Sequence, residues 1–411
     1  MQAATLPRTA QLQHPRISFT VLGAFAAILG FGIYFTSQDF KLGAYWFIGV
    51  AFGVILQRSR LCFAGAFRDL IISGDGRMLR AILVGLAVAT IGMSFLMARF
   101  VPDPSFGALP PGAHIQTVGF ATVAGGVIFG IGMVLAGGCV SGTLWRMGEG
   151  YLNSWVAMGG ILVGLWAGTK TWTWWWDHDI SKREATWLPT NLGMLPSIAI
   201  VLAAIGGLYM AVLWWELREP RMPEPAAKPL PPAFTVREHL GQTWTRWFGG
   251  RGWSYLTGAV ALALLSTFAY NIQAPLGVTG GLGLWADRVA SGFNVSGLPL
   301  KGGDMLAGCT AGVGAKWLTI RTMTMTGLVM GAFTASVLAG EFKIRFSRQA
   351  IRYPQMLAGG LLMGYASVLA VGCTIGAFFS SIPSLALSGW LFGFSLFAGA
   401  FVGVRLIRKL P

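Results

Sequence analysis

Apolar stretches near twenty residues long recur through this chain, at 17–37, 41–57, 78–100, 116–136, 153–173, 193–215, 253–272, 322–340, 354–371 and 385–406. In hydrocarbon a backbone cannot leave its N–H and C=O groups unbonded, so an apolar run of about twenty residues crosses as an α-helix. Some runs are short or carry polar residues, and the sequence predicts about eight to ten spans. With 54% hydrophobic and 11% charged residues, an ordinary soluble domain is excluded. The expected fold is an all-α integral membrane protein, seated in a lipid bilayer. The first run follows Arg8, His14 and Arg16, as a signal peptide would, but it is longer than a signal core and is read as a retained helix.

The formal charge of +15 is spread over short loops rather than gathered on one face, which argues against a nucleic-acid partner. Basic residues cluster at Arg58, Arg60, Arg68, Arg77 and Arg80, along Arg218 to Arg251, at Lys343 to Arg352 and at Arg405 to Lys409, whereas Val101 to Gly119 has no Lys or Arg. Positive charge is retained on the cytoplasmic side of a membrane. That rule places the clusters and both termini in the cytoplasm, and the neutral loop outside.

Between 216 and 252 the apolar pattern stops, and the stretch REPRMPEPAAKPLPP cannot sustain a helix. The chain thus divides into an N-terminal tail with an extra helix (1–40), a first membrane repeat (41–215), a Pro-rich charged cytoplasmic linker (216–252) and a second membrane repeat (253–411). An internal echo supports the division: AGGVIFGIGMVLAGGCVSG at 124–142 returns as AGGLLMGYASVLAVGCTIG at 358–376, glycines and cysteine in register. Duplicated membrane halves usually belong to transporters or channels with a site at the repeat interface. The expected architecture is two pseudo-symmetric helical repeats, inverted in topology, with broken or re-entrant helices around a central pathway. The pairs Gly49/Gly53, Gly126/Gly130 and Gly360/Gly364 are small-xxx-small motifs, for which close helix packing is explanation enough.

The echoed element also carries chemistry. Gly137-Gly138-Cys139 and Val371-Gly372-Cys373 end apolar runs, and glycines there would unwind one helix and let another start beside the cysteine. A half-helix start presents free N–H groups and a positive dipole end, which suit an anion. Cysteine adds a weak S–H donor and a polarizable sulfur, suited to a soft, sulfur-bearing guest. Cys62, in LQRSRLCFAGAFRDLI, begins a segment too short to span: either a re-entrant helix or an amphipathic one held by ion pairs. Cys309 has no counterpart in the other half, and helix packing accounts for it. Arg146 and Glu149 lie three apart and could pair with each other, with guiding an anion as the sharper alternative; Arg68 with Asp69, and Asp304, are read the same way.

Other classes fail for lack of residues. There is no GxxxxGK[ST] for ATP, no CxxC pair, and no ligand spacing among His14, His114, His178 and His239, so neither a metal nor any other cofactor is expected. Trp172, Trp174, Trp175 and Trp176 read most simply as an interfacial belt.

Three blocks resemble the YeeE/YedE family of bacterial inner-membrane sulfur-compound transporters: Gln57-Arg58-Ser59-Arg60 through Cys62 to Phe67-Arg68-Asp69, the stretch from Gly125 to Gly150 with LAGGC and GEG, and Gly359 to Gly376. The resemblance covers roughly 41–407. It implies an hourglass-like all-helical fold and import of thiosulfate or a related small sulfur anion, relayed by S–H···S contacts among Cys62, Cys139 and Cys373. Gly138 and Gly372 would line the same path, with Arg68, Arg146 and Glu149 in support. A small TusA-like sulfur-carrier protein is the partner such an importer would feed, in the inner membrane. Val371 and the residues after Gly376 depart from the thiosulfate pattern and lie nearer to the YedE branch. A selenium-compound transporter of the same fold is therefore one alternative. A membrane thiol enzyme that handles sulfur covalently is the other.

Overall fold

A computed structural model of the protein describes residues 19–218, 252–292, 300–303, 317–347 and 349–409. Every apolar run of the sequence holds a helix. These are α1 (Phe19–Gln38), α2 (Phe40–Ser59), α4 (Arg77–Phe100), α5 (Phe120–Leu135), α7 (Leu152–His178), α9 (Met194–Arg218), α10 (Tyr255–Ile272), α12 (Ile320–Leu338), α13 (Arg352–Leu369) and α14 (Leu387–Ile407). Between them lie the short helices α3 (Phe63–Ser73), α6 (Val140–Gly148), α8 (Leu188–Leu192) and α11 (Thr279–Ser291), and a π-helical segment, Thr374–Ser380. Among the described residues there are no strands, only three isolated bridges.

Seven described segments are long and apolar enough to cross a membrane, and eight if α13 and the π segment, bent by 49°, count as one. That is the lower end of the expected eight to ten. The shortfall lies in α7 and α12, which are long enough but carry tryptophans, a lysine and threonines that lower their hydropathy.

The closest helix pairings join early to late parts of the chain: α7 with α13, α2 with α12, α5 with α14 and with α13, and α4 with α10. The glycine motifs sit on these seams. A methyl group added to Gly49 would stand 2.5 Å from the carbonyl oxygen of Thr324, and one on Gly126 3.0 Å from that of Phe392. Gly360 faces Ala157 and Gly364 faces Ile161 in the same manner. Without a hydrophobic drive between helices in lipid, such backbone approach is the main source of cohesion.

The two ends of the bundle differ. One gathers the junctions α2/α3, α3/α4, α6/α7 and α12/α13 with the end of α9 and the start of α10, as shown by Arg80–Glu216 at 2.9 Å, Trp253 N–H to the Arg58 carbonyl at 2.7 Å and the Tyr151–Arg345 bridge. Most of the described basic clusters lie there. The opposite end gathers the loops at 101–119, 179–193 and 300–303, tied by the Thr117–Ala185 and Trp187–Ala386 bridges and by Trp172 Nε1 donating to the Lys301 carbonyl at 2.9 Å. The tryptophan cluster is divided accordingly: Trp174 is exposed, as a belt residue should be, but Trp172 is buried in the core.

Candidate functional site

Each of the three described cysteines occupies the N-cap of a short helical segment just after a broken helix: Cys62 before α3, Cys139 before α6 and Cys373 before the π segment. In each case the residue two positions earlier has a positive φ, at Arg60 (52°), Gly137 (71°) and Val371 (49°). The local cause is shared. A helix that ends on a left-handed residue reverses its backbone, and the next residues, extended, deliver the cysteine to the head of a new helix. Glycine does this without strain; arginine and valine do not.

All three thiols are free and buried. Cys62 and Cys139 face one another across Gly142, where an added methyl would stand 3.3 Å from one sulfur and 3.4 Å from the other. The Cys139 sulfur accepts from the Gly142 N–H at 3.4 Å and lies 3.3 Å from Ser141 Oγ, so it caps its own helix. Cys62 and Cys373 make no such cap. Cys373 joins the other two through rings rather than sulfur: Phe63, next to Cys62, packs edge-on against Phe379 at 5.7 Å and Phe378 at 6.3 Å. A methyl on Gly138 would lie 2.6 Å from Arg146 Nη1, and one on Gly372 3.0 Å from the Ala377 nitrogen.

The expected pairing of Arg146 with Glu149 does not form. Arg146 turns back to the Gly137 carbonyl at 2.5 Å, satisfying an acceptor freed by the helix break, and lies over the Trp145 ring. Glu149, fully buried, receives Gln57 Nε2 at 2.8 Å and Arg60 Nη2 at 3.2 Å, with Arg345 at 3.9 Å. Gln57 also donates to Glu341 at 2.8 Å, and Arg60 reaches the same carboxylate at 3.0 Å. Arg68 does pair with Asp69, at 2.8 Å, on the half-exposed flank of α3. Asp304 and Cys309 lie outside the described residues.

Sequence reasoning missed Gln57, Arg60 and Glu341 as one cluster, and no spacing rule could have found them, because the partners are far apart in the chain. Beside the cluster, on the basic end, opens a cavity of about 630 Å³ lined by Arg58, Arg60, Arg77, Arg80 and Glu341 among others. At the other end lies His114, which has no metal-ligand spacing to the other histidines. It folds inward, its ring Nδ1 3.1 Å from the Gly376 carbonyl and its backbone N–H donating to Ser384 Oγ at 3.1 Å. Burial pushes its pKa down to about 4, so at neutral pH its ring stands uncharged beside the Gly376 carbonyl.

Comparison with known proteins gives the chain its family. A family model described as sulphur transport matches residues 58–402. The thiosulfate transporter TsuA of Spirochaeta thermophila is 29% identical over 362 residues, covering 84% of this chain and 92% of the relative. TsuA of Escherichia coli is 27% identical over 369 residues, covering 88% and 94%. The probable transporter YedE of Salmonella typhimurium is 31% identical over 223 residues, about half of each chain. These relatives are transporters, not enzymes, and the chain belongs to the sulphur transport family, the YeeE/YedE group of membrane proteins.

Proposed function

We propose that the protein imports thiosulfate, or a small sulfur anion like it, along a path marked by Cys373, Cys62 and Cys139. The observation that carries this reading is the placement of three free, buried thiols at three helix breaks, two of them face to face. Stripping water from a small anion is costly unless donors replace it. Neutral S–H groups supply weak, polarizable donors to the terminal sulfur of thiosulfate, and several weak sites in series let an ion leave as readily as it enters. Gly138 and Gly372 keep the backbone beside two of the thiols clear of side chains.

In this reading the basic end faces the cytoplasm, as positive charge is retained there, and the protein sits in the bacterial inner membrane with both termini inside. The anion enters past the loop 101–119 and leaves beside Arg60 into the arginine-lined cavity, where a small TusA-like sulfur carrier would collect it. The halves 41–215 and 253–411 act as two repeats around the path.

Purified protein in vesicles, supplied with labelled thiosulfate, tests the reading. Cys139→Ala and Cys373→Ala are each expected to abolish uptake, whereas Cys309→Ala retains it. Full uptake by Cys139→Ala would sink the proposal. Selenite, sulfite and sulfate in the same assay fix the anion class.

A further inference from the structure

Among the described residues four long helices are each followed by a break and a short helical segment, α2 by α3, α5 by α6, α10 by α11 and α13 by the π segment, and the third and fourth of these units share a feature that the thiols do not explain. At the fourth, Cys373 caps the π segment and Thr374 is its first residue. At the third, the chain breaks between Gln273 and Val278, Val278 stands in the capping place and Thr279 is the first residue of α11. Both threonines are fully buried, and neither hydroxyl has a hydrogen-bond partner among the described residues.

Elsewhere in the bundle, threonine hydroxyls return to the carbonyl four residues back: Thr90 to Leu86 at 2.8 Å, Thr324 to Ile320 at 2.8 Å, Thr334 to Met330 at 2.9 Å. Thr374 and Thr279 are denied that acceptor by position. Four residues before Thr374 is Ala370, beyond the reversal at Val371, and four before Thr279 is Pro275, inside the break. Valine would fit both sites without a stranded polar atom, since it has the same shape. The far end of the π segment touches the 273–278 break, Ser380 Oγ donating to the Leu276 carbonyl at 2.9 Å.

A buried donor without a partner is the kind of group that awaits a ligand. We propose that the Thr374 and Thr279 hydroxyls are further substrate-binding residues, donating to an oxygen of the anion while its sulfur lies against the Cys373 thiol. The unit that lacks a cysteine thus contributes a hydroxyl, and the anion is read at both ends: soft sulfur by thiol, hard oxygen by O–H. This rests on the thiol-path reading above.

Thr374→Val, Thr279→Val and the double variant test it, with the initial rate of thiosulfate uptake measured against concentration in vesicles. Each single change is expected to raise KM about tenfold, the value of one hydrogen bond to a charged acceptor, and Thr374→Ser to restore it. The melting temperature without thiosulfate should be unchanged or higher, because no internal bond is lost. A wild-type KM in the double variant overturns the inference, as does a marked fall in its melting temperature, which would mean that the hydroxyls serve the fold. If Cys373→Ala abolishes uptake while the double variant is normal, this inference alone fails; uptake surviving Cys139→Ala removes the underlying reading.

Discussion

Arg60, Gly137 and Val371 each place a cysteine two residues downstream by adopting a positive φ. Only at 137 is the residue glycine, and there a side chain would meet nothing within 4 Å. Gly137→Ala therefore isolates the backbone cost of the reversal from any clash. It should destabilise the protein by about 1–2 kcal/mol, the penalty of a left-handed conformation for an L-residue, measured as a lowered midpoint of unfolding in detergent. A destabilisation near zero would mean that the break relaxes to another conformation. The Gly-Gly-Cys spelling made the second break legible in the sequence, and the echo at 358–376 carried it to the third cysteine despite Val371. The first was not legible in that way, because arginine is not a residue that announces a left-handed turn. Apart from the family resemblance, Cys62 is marked in the sequence by its basic neighbours and the short segment it begins, which leave two readings of its helix open.

Among elements, the charged end shows where local spacing misleads. Arg146 and Glu149 are three apart on α6, and the i, i+3 rule pairs them; the structure instead sends Arg146 to a carbonyl freed at Gly137 and gives Glu149 to Gln57 and Arg60. The reason is energetic. A fully buried carboxylate needs all its lone pairs met, and the end of α2 brings an amide and a guanidinium to it at once. Glu341, in the α12–α13 connection, shares both donors, so one cluster fastens the end of α2, the end of α6 and that connection together. Glu149→Ala should cost about 2–3 kcal/mol, less than the roughly 3–5 of a wholly buried pair, because Arg60 is 44% exposed and can turn to water. Thermal unfolding of the purified variant checks this. An unchanged midpoint would mean that the carboxylate merely breaks even with its desolvation.

For the whole molecule, the sequence separates what the fold interleaves. Hydropathy and the Pro-rich stretch at 216–252 mark two halves, and every long helix was legible within a few residues, because membrane helices must satisfy their own backbones and so declare themselves by length and apolarity. Which helix meets which was not legible, since the glycine motifs state that a face is flat but not what lies against it. In the structure those faces close across the linker: α2 on α12, α5 on α14, α7 on α13, α4 on α10. Neither half thus owns a complete core, and the most extensive seams lie between them. It follows that residues 1–218 and 252–411, made as separate polypeptides in one cell, should purify as a complex when tagged on either piece, while each made alone should be degraded or aggregate. Pull-down from detergent-solubilised membranes decides the matter. A first half that is monodisperse by itself would show that the seams with α12, α13 and α14 are dispensable.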